Sequence, residues 1–321
     1  MKIKSFTTYK LSHGTKLEFD LEKMEEFGFS ECHKTQASSL GWVEPQAGEG
    51  LVYSAHGAKL LMLKQQERVL PGPVVNEYLQ NKIEDFEARE NYMPGRKVRE
   101  QMKEELIISL LPQAFLRSAK IPVVYYPAEG LLFVLESPKK ADPIIAHLRE
   151  TLGSLPVSII KTEDTPSTIL TNWVANPELL PEDFTLGESV KLVDKEKSEF
   201  KANHADLFSE DIKNHINSGS NVTELKLIWK DNLSFQINDE LTISTIKDTT
   251  PSEAISFDDD AARNAHEFAV FTTWHLQFVR ELVKAFGGFS KPAVSNESEA
   301  KLTIEVVANE EIQEAPETAE A

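Results

Sequence analysis

Ser109-Leu110-Leu111-Pro112-Gln113-Ala114-Phe115-Leu116-Arg117 closes one element and opens another. Arg96 to Leu111, on its N-terminal side, reads as a helix because Met102, Leu106, Ile107 and Leu110 recur at helical spacing. Pro112 lacks an N–H and its ring collides with the preceding turn, so the helix stops there. Phe115 is therefore expected on a connector, either exposed or as a local core phenylalanine. Beyond it, Ile121 to Tyr126 and Leu131 to Glu136 read as a hairpin turned at Pro127-Ala128-Glu129-Gly130. Working backwards, Met93-Pro94-Gly95 breaks an earlier helix that starts at Pro71 and Pro73, where proline is tolerated. That helix directs Val74, Val75, Tyr78, Leu79 and Ile83 toward a core. Before it, Leu51 to Ala55 and Lys59 to Val69 read as a hairpin around His56-Gly57. A helical pair set between strands makes this region α+β.

The flanking sequence agrees. Ser5 to Ser12 reads as a strand and Asp20 to Phe27 as a helix, followed by a loop holding Trp42 and Pro45. A helix from Lys140 to Leu152 ends at Gly153, which suits a C-terminal cap. Val157 to Ile160 is a strand, and Thr165-Pro166 starts a short helix through Trp173. Ser189 to Val193 and Glu199 to Ala202 are short strands, and Ser209 caps a helix ending at Gly219. Val222 to Trp229, Leu233 to Ile237 and Leu241 to Ile246 form an antiparallel meander. A long helix, Asp260 to Phe286, carries Phe268, Phe271, His275, Phe278, Val279, Leu282 and Phe286 on one stripe and stops at Gly287-Gly288. The fold class is α+β, with antiparallel sheets and helices packed on them. The expected regions are 1–180, 181–290 and an acidic, disordered tail, 291–321.

Composition narrows the function. Hydrophobic residues at 40 % and charged residues at 27 % describe an ordinary globular chain. The single cysteine, Cys32, excludes an intrachain disulfide and fits a reducing cytosol. No apolar run approaches the roughly 20 residues a membrane span requires, and Met1-Lys2-Ile3-Lys4 does not open a signal peptide. The expected location is cytoplasmic, with no membrane partner. A net charge of −18 opposes nucleic-acid binding, because DNA affinity comes from Lys and Arg displacing counterions. The charge is segregated, however. Residues 291–321 carry eight Glu against two Lys, a net −6, while Lys59 to Lys120 carry eleven Lys/Arg against nine Asp/Glu, a net +2. A local positive surface inside an acidic envelope is compatible with these figures.

Catalytic signatures are sparse. Glu224-Leu225-Lys226, with Asp211 upstream, has the acidic-x-Lys spacing of a Mg²⁺-dependent nuclease. The simpler reading is strand alternation, with Leu225, Leu227 and Trp229 inward and Glu224, Lys226 and Lys230 toward water. Asp258-Asp259-Asp260 suits the positive end of the last helix. The histidines do not cluster, Cys32-His33 lacks further ligands for zinc, and neither a phosphate-binding glycine loop nor a Gly-x-Ser-x-Gly elbow is present. No catalytic residue, metal site or cofactor is therefore expected. The candidates for binding phosphate are Lys59, Lys64 and Arg68 on the hairpin, Arg96, Lys97, Arg99 and Lys103 at a helix start, Arg117 and Lys120 beyond Pro112, and Lys201. Cations at a helix N-terminus oppose its dipole and so invite an external anion; the alternative is a solvated face balanced by Glu100, Glu104 and Glu105.

The Ser109–Arg117 run is one of an ordered series. Gly41-Trp42-Val43-Glu44-Pro45 and Leu70-Pro71-Gly72-Pro73-Val74-Val75 precede it; Leu148-Arg149-Glu150-Thr151-Leu152-Gly153-Ser154-Leu155-Pro156-Val157 and Leu170-Thr171-Asn172-Trp173-Val174 follow. Asp206-Leu207, Asn214-His215-Ile216 and Val222-Thr223 come later. In this order the motifs resemble the recombination-associated protein RdgC family, from about Tyr9 to Gly288. The resemblance implies a cytoplasmic, nucleoid-associated, ring-shaped homodimer. It would encircle duplex DNA, also meet single strands, read no particular sequence and restrain a recombinase. It also implies that Phe115 lies where two protomers meet. One departure stands out: where the family carries adjacent basic residues before Asp-Leu, this chain has Asn203-His204-Ala205 before Asp206, with Lys201 the only cation nearby. The runner-up function is a Mg²⁺-dependent exonuclease associated with recombination.

Overall fold

The computed structural model describes residues 3–250, 257 and 259–290. Its elements, in chain order, are β1 (Thr7–Leu11), α1 (Leu21–Glu26), β2 (Ser38–Val43), β3 (Val52–Ala55), β4 (Ala58–Val69), α2 (Gly72–Glu90), α3 (Arg96–Leu110), β5 (Phe115–Tyr126), β6 (Leu131–Val134), α4 (Pro138–Leu152), β7 (Val157–Ile159), α5 (Pro166–Ala175), β8 (Phe184–Val193), β9 (Glu199–Asn203), α6 (Glu210–Asn217), β10 (Asn221–Trp229), β11 (Leu233–Asn238), β12 (Ile243–Asp248) and α7 (Asp260–Ala285). The strands form a seven-stranded sheet in the order β2-β4-β5-β6-β1-β7, with β3 also on β4, and a five-stranded sheet in the order β12-β11-β10-β8-β9. Every strand pairing is antiparallel. The α+β reading of the sequence therefore holds.

Period-two alternation gives the large sheet two apolar faces. Leu61, Leu63, Val123, Tyr125, Leu132 and Val134 pack with Met24 of α1 and with Ala141, Ile144 and Leu148 of α4. The alternate residues, Leu60, Val124, Tyr126 and Phe133, join Phe6 in a second core with α7, α5 and the five-stranded sheet. The aromatic stripe of α7 is the centre of that core. The Phe278 ring stands edge-on to Phe6 near the large sheet and to Trp229 and Phe235 of the small one. All seven stripe residues read from the sequence, Phe268 to Phe286, are buried. The sheets also meet at a corner, where Phe6 N–H donates to the Ile243 carbonyl at 3.2 Å.

Several boundaries differ from the sequence reading. Ser38–Val43, expected as a loop, is β2, zipped to Met62–Glu67 of β4. Gly41 permits this, because a Cβ there would overlap the backbone of Phe29, which crosses the strand. Phe115 is not on a connector. One 3-10 turn, Leu111–Gln113, separates α3 from β5, which begins at Phe115. β4 and β5 then pair continuously from Lys59↔Tyr125 to Val69↔Phe115. The strand begins early because β4 offers a full edge whose backbone groups need partners. Gly153 caps α4 with a left-handed φ of 73°, as expected. α2 buries Val75 and Ile83, while Val74 and Tyr78 of its expected stripe are exposed. The strands read as Ser189–Val193 and Leu241–Ile246 are Phe184–Val193 and Ile243–Asp248. Among the described residues, no helix is long and apolar enough to cross a membrane. Residues 291–321 and Asp258 lie outside the described residues.

Candidate nucleic-acid interface

The distal half of the β4–β5 ribbon, flanked by β2 as far as Glu67, and the α2–α3 hairpin that joins its strands form an arm. α2 and α3 pack chiefly on each other. Gly95 is the N-cap of α3 and supplies no side-chain hydrogen bond, and the first turn holds no acidic residue. Arg96 pairs with Glu100 at 3.0 Å. Lys97, Arg99 and Lys103 are exposed and have no carboxylate partner among the described residues. The first turn thus places Arg96, Lys97 and Arg99 against the positive end of the helix dipole, with Lys103 one turn further on.

The ribbon has two chemically distinct faces. Lys64 and Lys120 stand directly opposite in register on the face that continues Leu60 and Val124. Like charges opposed in this way repel. The Lys64 ammonium lies 4.1 Å from the centre of the Phe29 ring. Lys120 lines a small cleft with Pro45, Leu60, Met62, Asn264, Glu267 and Phe268. Farther out on this face, Arg68 is a structural clamp. Its guanidinium donates to the carbonyls of Cys32, His33 and Ala114 at 3.4, 3.3 and 3.1 Å. On the opposite face Arg117 pairs with Glu67 across the strands. Lys59, near the ribbon base, sits 5.2 Å over the Phe19 ring.

An apolar cluster surrounds the junction of ribbon and hairpin. Phe115 is 87 % exposed and Ile108 67 %, with Val69, Val74, Tyr78 and Leu116 also exposed on the adjoining elements. The sequence flagged Phe115 alone. Ile108 escaped notice because it lies off the buried stripe of α3, and Val74 because it was assigned to a core.

The five-stranded sheet carries the remaining candidates. Lys201 on β9 pairs with Glu224 at 3.4 Å. Glu224 and Lys226 share one face of β10 and are half-buried, while Leu225, Leu227 and Trp229 are buried, as alternation requires. Asp211 is in the first turn of α6. Among the described residues no three His, Cys, Asp or Glu side chains come together to hold a metal. Asn203 ends β9, and His204 follows with φ 53° and its Nδ1 3.5 Å from Glu188. The adjoining groove is rimmed by Glu178, Glu182, Glu188 and Asp206. Acidic side chains thus gather beside the basic position that the resemblance leads one to expect.

Comparison with known proteins matches residues 1–289 to the family model described as "Putative exonuclease, RdgC". The chain belongs to the RdgC family. Relatives named recombination-associated protein RdgC include those of Tolumonas auensis, 35 % identical over 90 % of this chain and 99 % of the relative, and Psychromonas ingrahamii, 32 % identical over the same shares. The RdgC protein of Aeromonas hydrophila is 34 % identical over 83 % of this chain and 90 % of its own. The match to the RdgC family spans both sheets and the arm, and it stops before the acidic segment 291–321.

Proposed function

We propose that the chain is a sequence-tolerant DNA-binding protein that closes around duplex DNA as a homodimer and restrains recombinase-mediated recombination. The observation that carries this reading is the cationic start of α3, where Lys97, Arg99 and Lys103 face solvent without carboxylate partners among the described residues. Lys64 and Lys120 add a second pair of cations to the arm. Cations of this kind hold phosphate oxygens and read no bases, so the protein body acts as an obstacle on the duplex. The names of the relatives place the RdgC family in recombination. The exposed cluster around Phe115 is the surface that a second protomer would cover, since an exposed apolar patch of this kind marks an interaction site.

The test is a salt titration of duplex binding, alongside sedimentation of the free protein. Wild-type protein should sediment as a dimer at micromolar concentration and bind unrelated duplexes with similar affinity. Each phosphate contact should add about 0.9 to the log–log salt slope. Arg96→Ala, Lys97→Ala and Arg99→Ala together should flatten that slope by about 2 to 3. Salt-independent binding, or an unchanged slope in the triple variant, would remove α3 from the DNA surface. The family description supports a second reading, an exonuclease, for which the Glu224-Leu225-Lys226 spacing would imply Mg²⁺. Under that reading pure protein would degrade linear duplex with Mg²⁺, and Glu224→Ala with Lys226→Ala would abolish the activity.

A further inference from the structure

We propose that the acidic segment 291–321 is an intramolecular ligand of the cationic arm and competes with DNA for it; this rests on the DNA-binding reading above. The family match ends at residue 289, and the chain continues with eight Glu and two Lys, a net −6. The Tolumonas auensis relative is matched over 99 % of its length by 90 % of this chain, and the family match stops before this acidic segment.

Its point of departure is fixed. Phe289 bridges Thr162 in antiparallel fashion, the Ser290 N–H donates to the Lys161 carbonyl at 2.9 Å, and the Lys10 ammonium lies 3.6 Å over the Phe289 ring. The segment therefore leaves beside β7, at one edge of the large sheet. The cleft beside that exit is lined by Asp164, Asp239 and Glu240 and by Lys161. The arm lies within reach. β4 and β5 are four and three strands away from β7, which is about 15–20 Å at the usual strand spacing. The helices of the arm add about 25–30 Å. The 31 residues can span at most about 100 Å. Carboxylates and phosphates then compete for Arg96, Lys97, Arg99, Lys103, Lys64 and Lys120. A tethered segment of this length acts at an effective concentration of the order of millimolar, enough to weaken DNA binding about three- to tenfold at low salt. The effect fades as salt screens the charges.

Duplex affinity should be measured for the full chain, for a chain ending at Ser290, and for a full-length variant with the eight tail glutamates changed to Gln. Direct binding of a labelled 291–321 peptide to the shortened chain, without DNA, completes the test. The proposal expects both altered chains to bind DNA three- to tenfold tighter than the full chain at 50 mM salt and equally at 500 mM. It also expects the peptide to bind the shortened chain and to lose that binding when Arg96, Lys97 and Arg99 are Ala. Equal DNA affinity of all three chains overturns it, as does tightening by truncation but not by Glu→Gln, or a peptide indifferent to the triple substitution. If no chain binds duplex, the DNA-binding reading fails, and the peptide measurement separately decides whether the acidic segment occupies the arm.

Discussion

At the residue scale, His275 and Gly41 show how chemistry and space fix this fold. The His275 ring is fully buried, with ring centres of Phe271, Phe133 and Phe6 at 4.4, 4.5 and 4.8 Å. Its Nδ1 lies 3.5 Å from the Tyr126 hydroxyl, and its Nε2 is buried without a partner among the described residues. Burial holds its pKa down at about 3, so it stays neutral in the fold throughout the range where a free imidazole gains a proton. The unfolded chain binds that proton below about pH 6.5, and the folded chain does not until about pH 3. Stability should therefore fall with falling pH across that window, by up to about 1.4 kcal/mol per unit from this residue. His275→Phe should remove this slope; urea unfolding at pH 7 and pH 5 that shows the same loss in both proteins would assign acid sensitivity elsewhere. At Gly41 the constraint is steric, because an added Cβ meets the rigid backbone of Phe29. Gly41→Ala should cost about 1–3 kcal/mol, read as a lower urea midpoint with an unchanged slope.

At the element scale the ribbon and its helical hairpin present the surfaces on which both association and DNA binding would depend. Phe115 opens β5 opposite Val69, and both are exposed. Phe115→Ala should weaken dimerisation by about 2 kcal/mol, roughly thirtyfold in Kd, while leaving thermal stability of the monomer unchanged; an unaltered sedimentation profile at limiting concentration would place the dimer contact elsewhere. The same ribbon shows what the sequence could and could not disclose. The α7 stripe and the cap at Gly153 were legible because periodicity and backbone conformation are local properties. The outer part of β5 was not: Phe115 to Lys120 lacks alternation, and its strand state comes from pairing with β4, a contact distant in sequence. β2 was not legible for the same reason: its strand state comes from pairing with β4, and Gly41 admits the crossing backbone of Phe29. The cation list was legible as composition. Sequence could not show that Arg68 clamps three carbonyls or that Arg117 and Lys201 are ion-paired, since their partners come from other elements.

At the scale of the whole molecule, one helix joins two sheets. Phe278 touches aromatic rings on both sides, and Glu281 accepts from the Trp229 indole N–H at 2.6 Å. A chain ending at residue 259 should keep its strands yet bind a hydrophobic dye and lose its near-ultraviolet aromatic signal; a cooperative, dye-silent unfolding transition in that fragment would show that the sheets stand without α7. The position of α7 in the chain carries a further consequence, which concerns time. Phe6 is made first and Phe278 about 270 residues later. At about 5–20 residues per second, translation leaves a gap of roughly 15–50 s. Through part of that interval the side of the large sheet that faces α7 lacks its helical partner, and from Asp248 onward the inner face of the small sheet does too. The second core can therefore close only once α7 has been made, and the demand on cellular chaperones should peak just before that helix emerges.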